Sequence, residues 1–455
     1  MNTEKKQKSA VKDLTVGSPL SLILGYSLPM LAGLLFQQLY NIVDSVIVGK
    51  FIDVEALAAV GSTGSVNFLI IGFCIGVCSG FAIPVAQRFG AQDYAGLRRM
   101  VYNSAWLCVG FSAVLTLVVC LACRWILTVM QTPEDIMDGA YAYIFIIFLG
   151  IPVVFLYNIL AGIIRSLGDS KTPLYFLAIA SFINIGLDFV FIVWLHMHVD
   201  GAAYATVISQ LISGLLCLIY MRKKFPILKP ENKSEIAFDT HHAMILCNMG
   251  IPMGLQYSIT AIGSVILQSA VNTLGSATVA AVTAAQRLGS FFMCPFDALG
   301  SAMATWGGQH VGAKKLERLK TGLWDAILLG SVYSVLAVIV TIFLGKPLLL
   351  LFLDTEHTQI LSLAHQFLIT SASFYIPLTL VNTVRFMIQG MGYSKFAMLA
   401  GVCEMVARGV MGFVFVPLIG YNAVGFASPL AWIFADAFLI PAFFYCYKKT
   451  SALLH

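Results

Sequence analysis

Charge is scarce in this chain. Asp, Glu, Lys and Arg make up 11% of its 455 residues, whereas soluble domains carry roughly 25%. Hydrophobic residues make up 59%, and many apolar runs reach the length of about 20 residues that crosses a bilayer core. These properties exclude an ordinary soluble domain. They predict an all-α polytopic membrane protein.

Motifs for catalysis are also lacking. The sequence contains no recognisable set of nucleophile and base, no metal-binding motif and no phosphate-binding loop. We therefore expect that the protein is not an enzyme and has no cofactor. The ten cysteines lie mostly inside or at the ends of apolar segments, where they are interpreted as small packing residues.

The distribution of basic residues gives the expected orientation. If the N-terminus is cytoplasmic, 21 of the 27 Lys and Arg residues lie on the cytoplasmic side and three on the opposite side. This bias follows the positive-inside rule and predicts a multi-pass protein of the cell (inner or plasma) membrane with both termini cytoplasmic. The net charge of +5 therefore requires no nucleic-acid partner. The predicted transmembrane helices are 20–48, 56–86, 97–122, 137–164, 173–196, 201–221, 243–272, 278–305, 322–345, 359–389, 396–417 and 423–447.

The two halves of the chain resemble each other on either side of a polar segment at 222–241. "QRFGAQ" at 87–92 recurs as "QHVGAK" 222 residues later, and Pro29 recurs as Pro252 after 223 residues. Each half has six predicted helices, so we expect two pseudo-symmetric six-helix bundles with a cavity between them. The predicted divisions are a cytoplasmic tail (1–19), an N-terminal lobe (20–221), a cytoplasmic linker (222–241), a C-terminal lobe (242–447) and a second tail (448–455).

Four polar residues are expected at similar depth in the outer half of the N-terminal lobe. From the predicted helix ends, Asp44 lies about 9 Å deep, Asp188 about 12 Å and Thr206 about 8 Å. Asn184 precedes Asp188 by one helical turn and shares its face. Oxygen ligands of this kind suit a hard cation, and neighbouring carboxylates also favour a shared proton. The alternative is that these groups only form hydrogen bonds between helices.

Several stretches resemble the multidrug and toxic compound extrusion (MATE) transporters: "QQLYNIVDSVIVGK", "ALAAVG", "RSLGDSKTP" and "NIGLDFVF". The resemblance covers essentially the whole chain. It implies a cation-coupled antiporter that exports amphiphilic or cationic drugs and toxins by alternating access. Its expected partners are small-molecule substrates, Na⁺ or H⁺ as coupling ion and the lipid bilayer, and the expected functional unit is a monomer. The alternative is a flippase for a lipid-linked precursor, an activity that the wider superfamily also contains.

The resemblance also implies roles for particular residues. Asp44, Asn184, Asp188 and Thr206 match the family's cation site, so the only metal expected is Na⁺ at these positions. Matching Gln and Tyr residues on the first helix lie near substrate in the family. The corresponding substrate candidates here are Gln37, Tyr40 and Asn158, with ordinary interhelical hydrogen bonding as the alternative.

The remaining intramembrane features have simpler interpretations. Pro29 is a candidate hinge of the first helix because proline removes a backbone hydrogen bond. Glu404 and Arg408 are four residues apart and are interpreted as a structural ion pair. Asp297 and Asp436 have no partner identifiable from sequence. Some MATE subgroups carry an acid on the seventh helix, where this chain has Gln256.

Overall fold

A computed structural model of the chain describes residues 13–52, 54–353 and 358–454, and within these ranges every regular element is a helix. In the described residues nine helices are long and apolar enough to cross a membrane, and two bent pairs each supply one more. The 37-residue helix Ser276–Gly312 brings the number of long helices to twelve. The predicted all-α fold is confirmed, and the helix count agrees with the predicted twelve spans. Residues 1–12 of the predicted first tail and His455 of the second lie outside the described residues.

The N-terminal bundle contains six spanning helices. Several are longer than the sequence predicted because they continue beyond the apolar run that marked each of them. They are α1 (Pro19–Phe51), α2 (Gly64–Gly90, preceded by the short helix Val54–Ser62), α3 (Tyr94–Val129), α4 (Glu134–Leu149 and Ile151–Ser166), α5 (Lys171–Asp188, continued by the π-helix Phe189–Trp194) and α6 (Val199–Lys224).

The C-terminal bundle repeats this arrangement. Its helices are α7 (Thr240–Asn272), α8 (Ser276–Gly312), α9 (Glu317–Leu349), α10 (Thr358–Ala372 and Tyr375–Gly390), α11 (Ser394–Val410, continued by the π-helix Met411–Phe415 and by Val416–Ile419) and α12 (Tyr421–Leu454).

Two spans that the sequence predicted as continuous are bent in the structure. The two parts of α4 meet at 46° and those of α10 at 51°. Pro152 and Pro377 lie in the first turn after each bend. Proline has no N–H and clashes with the preceding turn, so it starts a helix well but cannot continue one. The equivalent bends give the two bundles the same shape.

The bundles meet closely along α2 and α7. A Cβ added to Gly80 would lie 2.5 Å from Gly250 Cα, and one added to Gly76 would lie 2.6 Å from the Met253 carbonyl oxygen. Only glycine allows the two backbones to approach so closely. This contact forms one edge of a cavity of about 650 Å³ between the bundles.

The linker between the bundles is attached to the N-terminal one. It is shorter than predicted, since α6 continues to Lys224 and α7 begins at Thr240. Glu235 in the linker is buried and accepts two hydrogen bonds from Arg98 of α3, at 2.8 and 3.0 Å. Trp106 Nε1 donates to the Ile236 carbonyl at 2.9 Å.

Candidate functional site

Asp188 lies at the point where α5 changes from an α-helix to a π-helix. It is the last residue of Lys171–Asp188, and its side chain is fully buried. A π-helical turn shifts the hydrogen-bonding register and is frequent at functional sites. Asn184, one turn earlier, is buried on the same face.

The amide of Asn184 connects Asp188 to α6. When its orientation is assigned from the neighbouring donors and acceptors, Nδ2 donates to Asp188 Oδ2 at 3.1 Å and Oδ1 accepts from the Thr206 backbone N–H at 3.1 Å. The Thr206 hydroxyl donates to the Ala202 carbonyl at 3.0 Å and lies 3.4 Å from the Tyr40 hydroxyl of α1. Helices α1, α5 and α6 therefore meet at this point.

The carboxyl groups of Asp44 and Asp188 face each other within hydrogen-bonding reach. One oxygen of each, Oδ1, is buried without a hydrogen-bond partner, and no ion pair joins either acid to a base in the described part of the chain. Two charged carboxylates cannot share a dry pocket unless a cation or a proton lies between them. The structure thus brings together the four residues that the sequence singled out for a cation.

The composition of this cluster restricts the ion. In the described ranges no group of three or more His, Cys, Asp or Glu side chains is arranged to hold a metal. Two carboxyls with an amide and a hydroxyl form an oxygen-only set, which suits a hard cation or a proton. The ligand role of these residues stays a prediction.

The predicted substrate residues fall into two places. Gln37 and Asn158 line the cavity between the bundles, and so does the candidate hinge Pro29. Tyr40 instead contacts Thr206 beside the paired acids. Helix α1 runs unbroken from Pro19 to Phe51 with Pro29 inside it, so one helix carries residues of both the cavity and the acid cluster.

The C-terminal wall of the cavity carries a charged cluster that sequence analysis recognised only in part. Glu404 and Arg408 lie 3.2 Å apart, as their spacing suggested, but Arg385 of α10 also forms an ion pair with Glu404. All three residues line the cavity. The pair interpreted as a structural ion pair is therefore part of a three-residue cluster at the cavity surface. Arg385 was missed because nothing in its own segment marks the partner on α11.

The remaining acids of the C-terminal bundle have different surroundings. Asp297 of α8 is exposed to the cavity, whereas Asp436 of α12 is buried with Oδ1 unpartnered. Gln256, at the position where some relatives have an acid, accepts a hydrogen bond of 2.6 Å from Gln389.

Comparison with known proteins agrees with this architecture. The MatE family model matches residues 29–190 and 252–414. The chain belongs to the MATE family. The matched ranges start 223 residues apart and end 224 apart, which is the spacing of the sequence repeat.

Individual relatives cover nearly the same span. The probable multidrug resistance protein YpnP of Bacillus subtilis is 30% identical over 97% of this chain and 98% of its own length. The probable multidrug resistance protein YoeA of the same species is 30% identical over 82% of this chain and 80% of its own. A solved structure titled as the outward-facing conformation of a multidrug resistance MATE family transporter has a TM-score of 0.89, with 24% identity and 99% coverage of both chains.

The MATE bundles are also joined by a pair of equivalent glutamines at one end of the cavity. Gln87 Nε2 donates to the Gly390 carbonyl at 3.0 Å, and Gln309 Nε2 donates to the Ser166 carbonyl at 2.8 Å. Each bond crosses from one bundle to the other. The glutamines begin the repeated motifs "QRFGAQ" and "QHVGAK". We call these two bonds the glutamine seal. The sequence repeat contains both glutamines, but it does not by itself show that they bond across the two bundles.

The segment before α1 and the first turns of α1 add contacts at the glutamine seal of this MATE chain. The Leu14 backbone N–H donates to Gln309 Oε1 at 3.0 Å, and Leu14 is buried. The Tyr26 hydroxyl lies 3.0 Å from both the Arg165 carbonyl and the Thr305 hydroxyl, one in each bundle. The cavity is therefore closed at the end that the charge bias assigns to the cytoplasm.

Proposed function

We propose that this MATE protein is a cation-coupled antiporter that uses the inward movement of Na⁺ or H⁺ to export amphiphilic or cationic drugs and toxins. It lies in the cell membrane with both termini cytoplasmic, works as a monomer, and carries out transport without catalysis. The coupling ion is its only non-substrate ligand. Export of drugs is supported by the multidrug resistance names of the relatives.

The observation that carries the proposal is the unneutralised acid pair. Asp44 and Asp188 meet in a pocket where each has a buried oxygen without a partner. A cation or a proton bound between them removes the repulsion and the cost of burying charge. The two acids are therefore much more stable with a bound cation or proton than without one. A site that changes in stability when an ion binds can couple to an ion gradient.

Helix α1 supplies a route from the ion to the substrate. Asp44 and Tyr40 are near its far end, Gln37 and Pro29 line the cavity, and Tyr26 is in the seal region. From Tyr26 to Asp44 the helix spans about 27 Å at 1.5 Å per residue. A change in the position of α1 on ion binding therefore reaches the cavity and the closed end together.

The transport cycle follows from these connections. In the sealed state the ion enters from the side opposite the seal and binds between Asp44 and Asp188, which already face each other. Movement of α1 then releases Tyr26 from Thr305 and weakens the glutamine seal, so the cavity opens to the cytoplasm. The ion then leaves to the cytoplasm, and substrate enters the cavity from the cytoplasm. When the seal closes again, the cavity opens to the outside and substrate is released there. Ligands act by favouring one of two states.

The flippase alternative has less support. The two Bacillus subtilis relatives carry multidrug resistance names, and the cavity of about 650 Å³ has the size of a site for small molecules.

The decisive test uses purified protein in liposomes loaded with ethidium. Efflux is measured under an Na⁺ gradient alone, an H⁺ gradient alone and no gradient. We expect one gradient to drive efflux, and Asp188→Asn to abolish it. Asp138→Asn is the matched control. Asp138 is exposed, and its ion pair with Arg124, at 3.6 Å, lies on the surface. Efflux that ignores both gradients contradicts the proposal.

A further inference from the structure

The charged cluster Arg385–Glu404–Arg408 has more donors than acceptors. Two guanidinium groups share one carboxylate: Nη2 of Arg385 and Nη2 of Arg408 donate to different oxygens of Glu404. Neither arginine donates any other hydrogen bond in the described ranges. Arg385 Nε and Arg408 Nη1 are buried without a partner.

Such a cluster needs an acceptor. Each guanidinium carries five N–H donors in a rigid fork, and buried donors without partners are strongly unfavourable. Both side chains are more than nine-tenths buried yet lie on the wall of the cavity between the bundles. A ligand in that cavity is therefore in position to accept from them after small side-chain movements.

The nearby acids do not supply the missing acceptor. Asp297 and Asp436 are the other acids of this region, and neither lies within 4.0 Å of a basic group in the described chain. Asp297 faces the cavity as a separate carboxylate. The wall of the cavity thus carries arginine donors without an acceptor and, on α8, a separate carboxylate.

We propose that Arg385 and Arg408 bind a carboxylate of the substrate, so that this transporter accepts amphiphiles carrying a carboxylate as well as plain cations. The inference rests on the proposed drug export and specifies its substrate class. A carboxylate matches the planar fork of arginine and forms charge-assisted hydrogen bonds with it. Asp297 then faces the cationic part of a zwitterionic substrate.

Arg408→Gln is the informative variant. It removes the excess positive charge but leaves Glu404 paired with Arg385, so no buried carboxylate loses its only partner. Gly263 lies opposite Arg408, where an added Cβ would be 3.4 Å from Nη1, and the shorter glutamine fits the same space. Arg222→Gln is the matched control because Arg222 is exposed at the end of α6.

The probes are rhodamine 110, which has a free carboxylate, and rhodamine 123, its methyl ester. Their binding to purified protein is measured by fluorescence polarisation, and their efflux in liposomes under the driving gradient. We expect Arg408→Gln to weaken binding of rhodamine 110 at least tenfold and to change binding of rhodamine 123 less than twofold. Arg222→Gln should change neither.

The outcomes separate the two proposals. If the wild type binds and exports rhodamine 123 but not rhodamine 110, the carboxylate subsite is wrong and drug export stands. If Arg408→Gln changes both dyes equally, the cluster is structural and the inference is again wrong. If the wild type exports ethidium but binds neither rhodamine, the carboxylate subsite is wrong and drug export stands, whereas export of neither ethidium nor a rhodamine overturns both proposals.

Discussion

Replacing Asp188 with asparagine should remove ion coupling while the protein remains folded. The asparagine side chain has nearly the same shape, so the hydrogen bond with Asn184 can be kept by the new amide oxygen. The carboxylate that is lost has one buried oxygen without a partner. Neutralising such a group removes a desolvation penalty, so we expect the thermal stability of the ion-free protein to be unchanged or higher.

The loss of ion affinity follows from Coulomb's law. A monovalent cation about 4 Å from the removed charge loses about 4 kcal/mol at an effective dielectric constant of 20. Relief of the repulsion between the acids and of their desolvation offsets part of this loss. A net loss of about 3 kcal/mol corresponds to roughly a hundredfold weaker binding. Asp44→Asn should behave in the same way because the pair is shared.

Ion-dependent stabilisation provides the assay. An ion that binds only the folded state at 100 times its Kd stabilises it by about 2.7 kcal/mol, which raises the melting temperature. We expect this Na⁺- or pH-dependent rise in the wild type and in Asp138→Asn, and its loss in Asp188→Asn, together with loss of gradient-driven efflux. If Asp188→Asn keeps both the rise and the efflux, the acids serve only as interhelical contacts.

Further predictions test the neighbouring features. Thr206→Ala deletes one neutral oxygen, worth about 1 kcal/mol, so ion affinity should fall only severalfold in the same thermal assay. Gln309→Ala removes a hydrogen bond across the seal, so cysteine probes in the cavity should become more accessible from the cytoplasmic side, whereas an equal rate in the wild type would refute the seal. Gly80→Ala should reduce the yield of folded protein sharply, since its Cβ would lie 2.5 Å from Gly250 Cα, while Gly110→Ala has no atom within 4 Å and serves as control. A cysteine at Asn232 should react with an impermeant reagent only in inverted vesicles, and labelling in intact cells would reverse the predicted topology.

The sequence predicted best those features of the fold that depend on local composition. Apolar length predicted the twelve spans, and the repeat predicted two bundles, because both properties are carried by local composition. Bends in α4 and α10 were not predicted, although the sequence has a proline, Pro152 or Pro377, in the first turn after each bend. A proline marks a bend only when its place relative to the preceding turn is known.

Of the contacts between distant segments, the sequence predicted some and not others. Asp44, Asn184 and Asp188 were grouped by shared depth, which helix geometry gives from sequence alone. The contact of the Tyr40 hydroxyl with Thr206 was not predicted, because depth does not fix the direction in which a helix face points. The substrate role of Tyr40 stays a prediction. The ion pair of Arg385 with Glu404 could not be predicted, because it depends on which helices are neighbours in the tertiary structure.

The comparison of α5 with α11 shows how one fold supports two chemistries. Both helices change to a π-helix at equivalent places, Phe189–Trp194 and Met411–Phe415, whose starts are 222 residues apart. In α5 the residue just before this change is Asp188, whereas α11 has Arg408 in the last turn before it. The shared backbone distortion lets each helix direct a charged side chain into its bundle, but the charges are opposite. An acid in one bundle suits the proposed coupling ion, and a base in the other suits the proposed acidic group of the substrate. Under these two proposals ion and substrate bind at separate sites, and we expect movement of α1 and the seal to couple them.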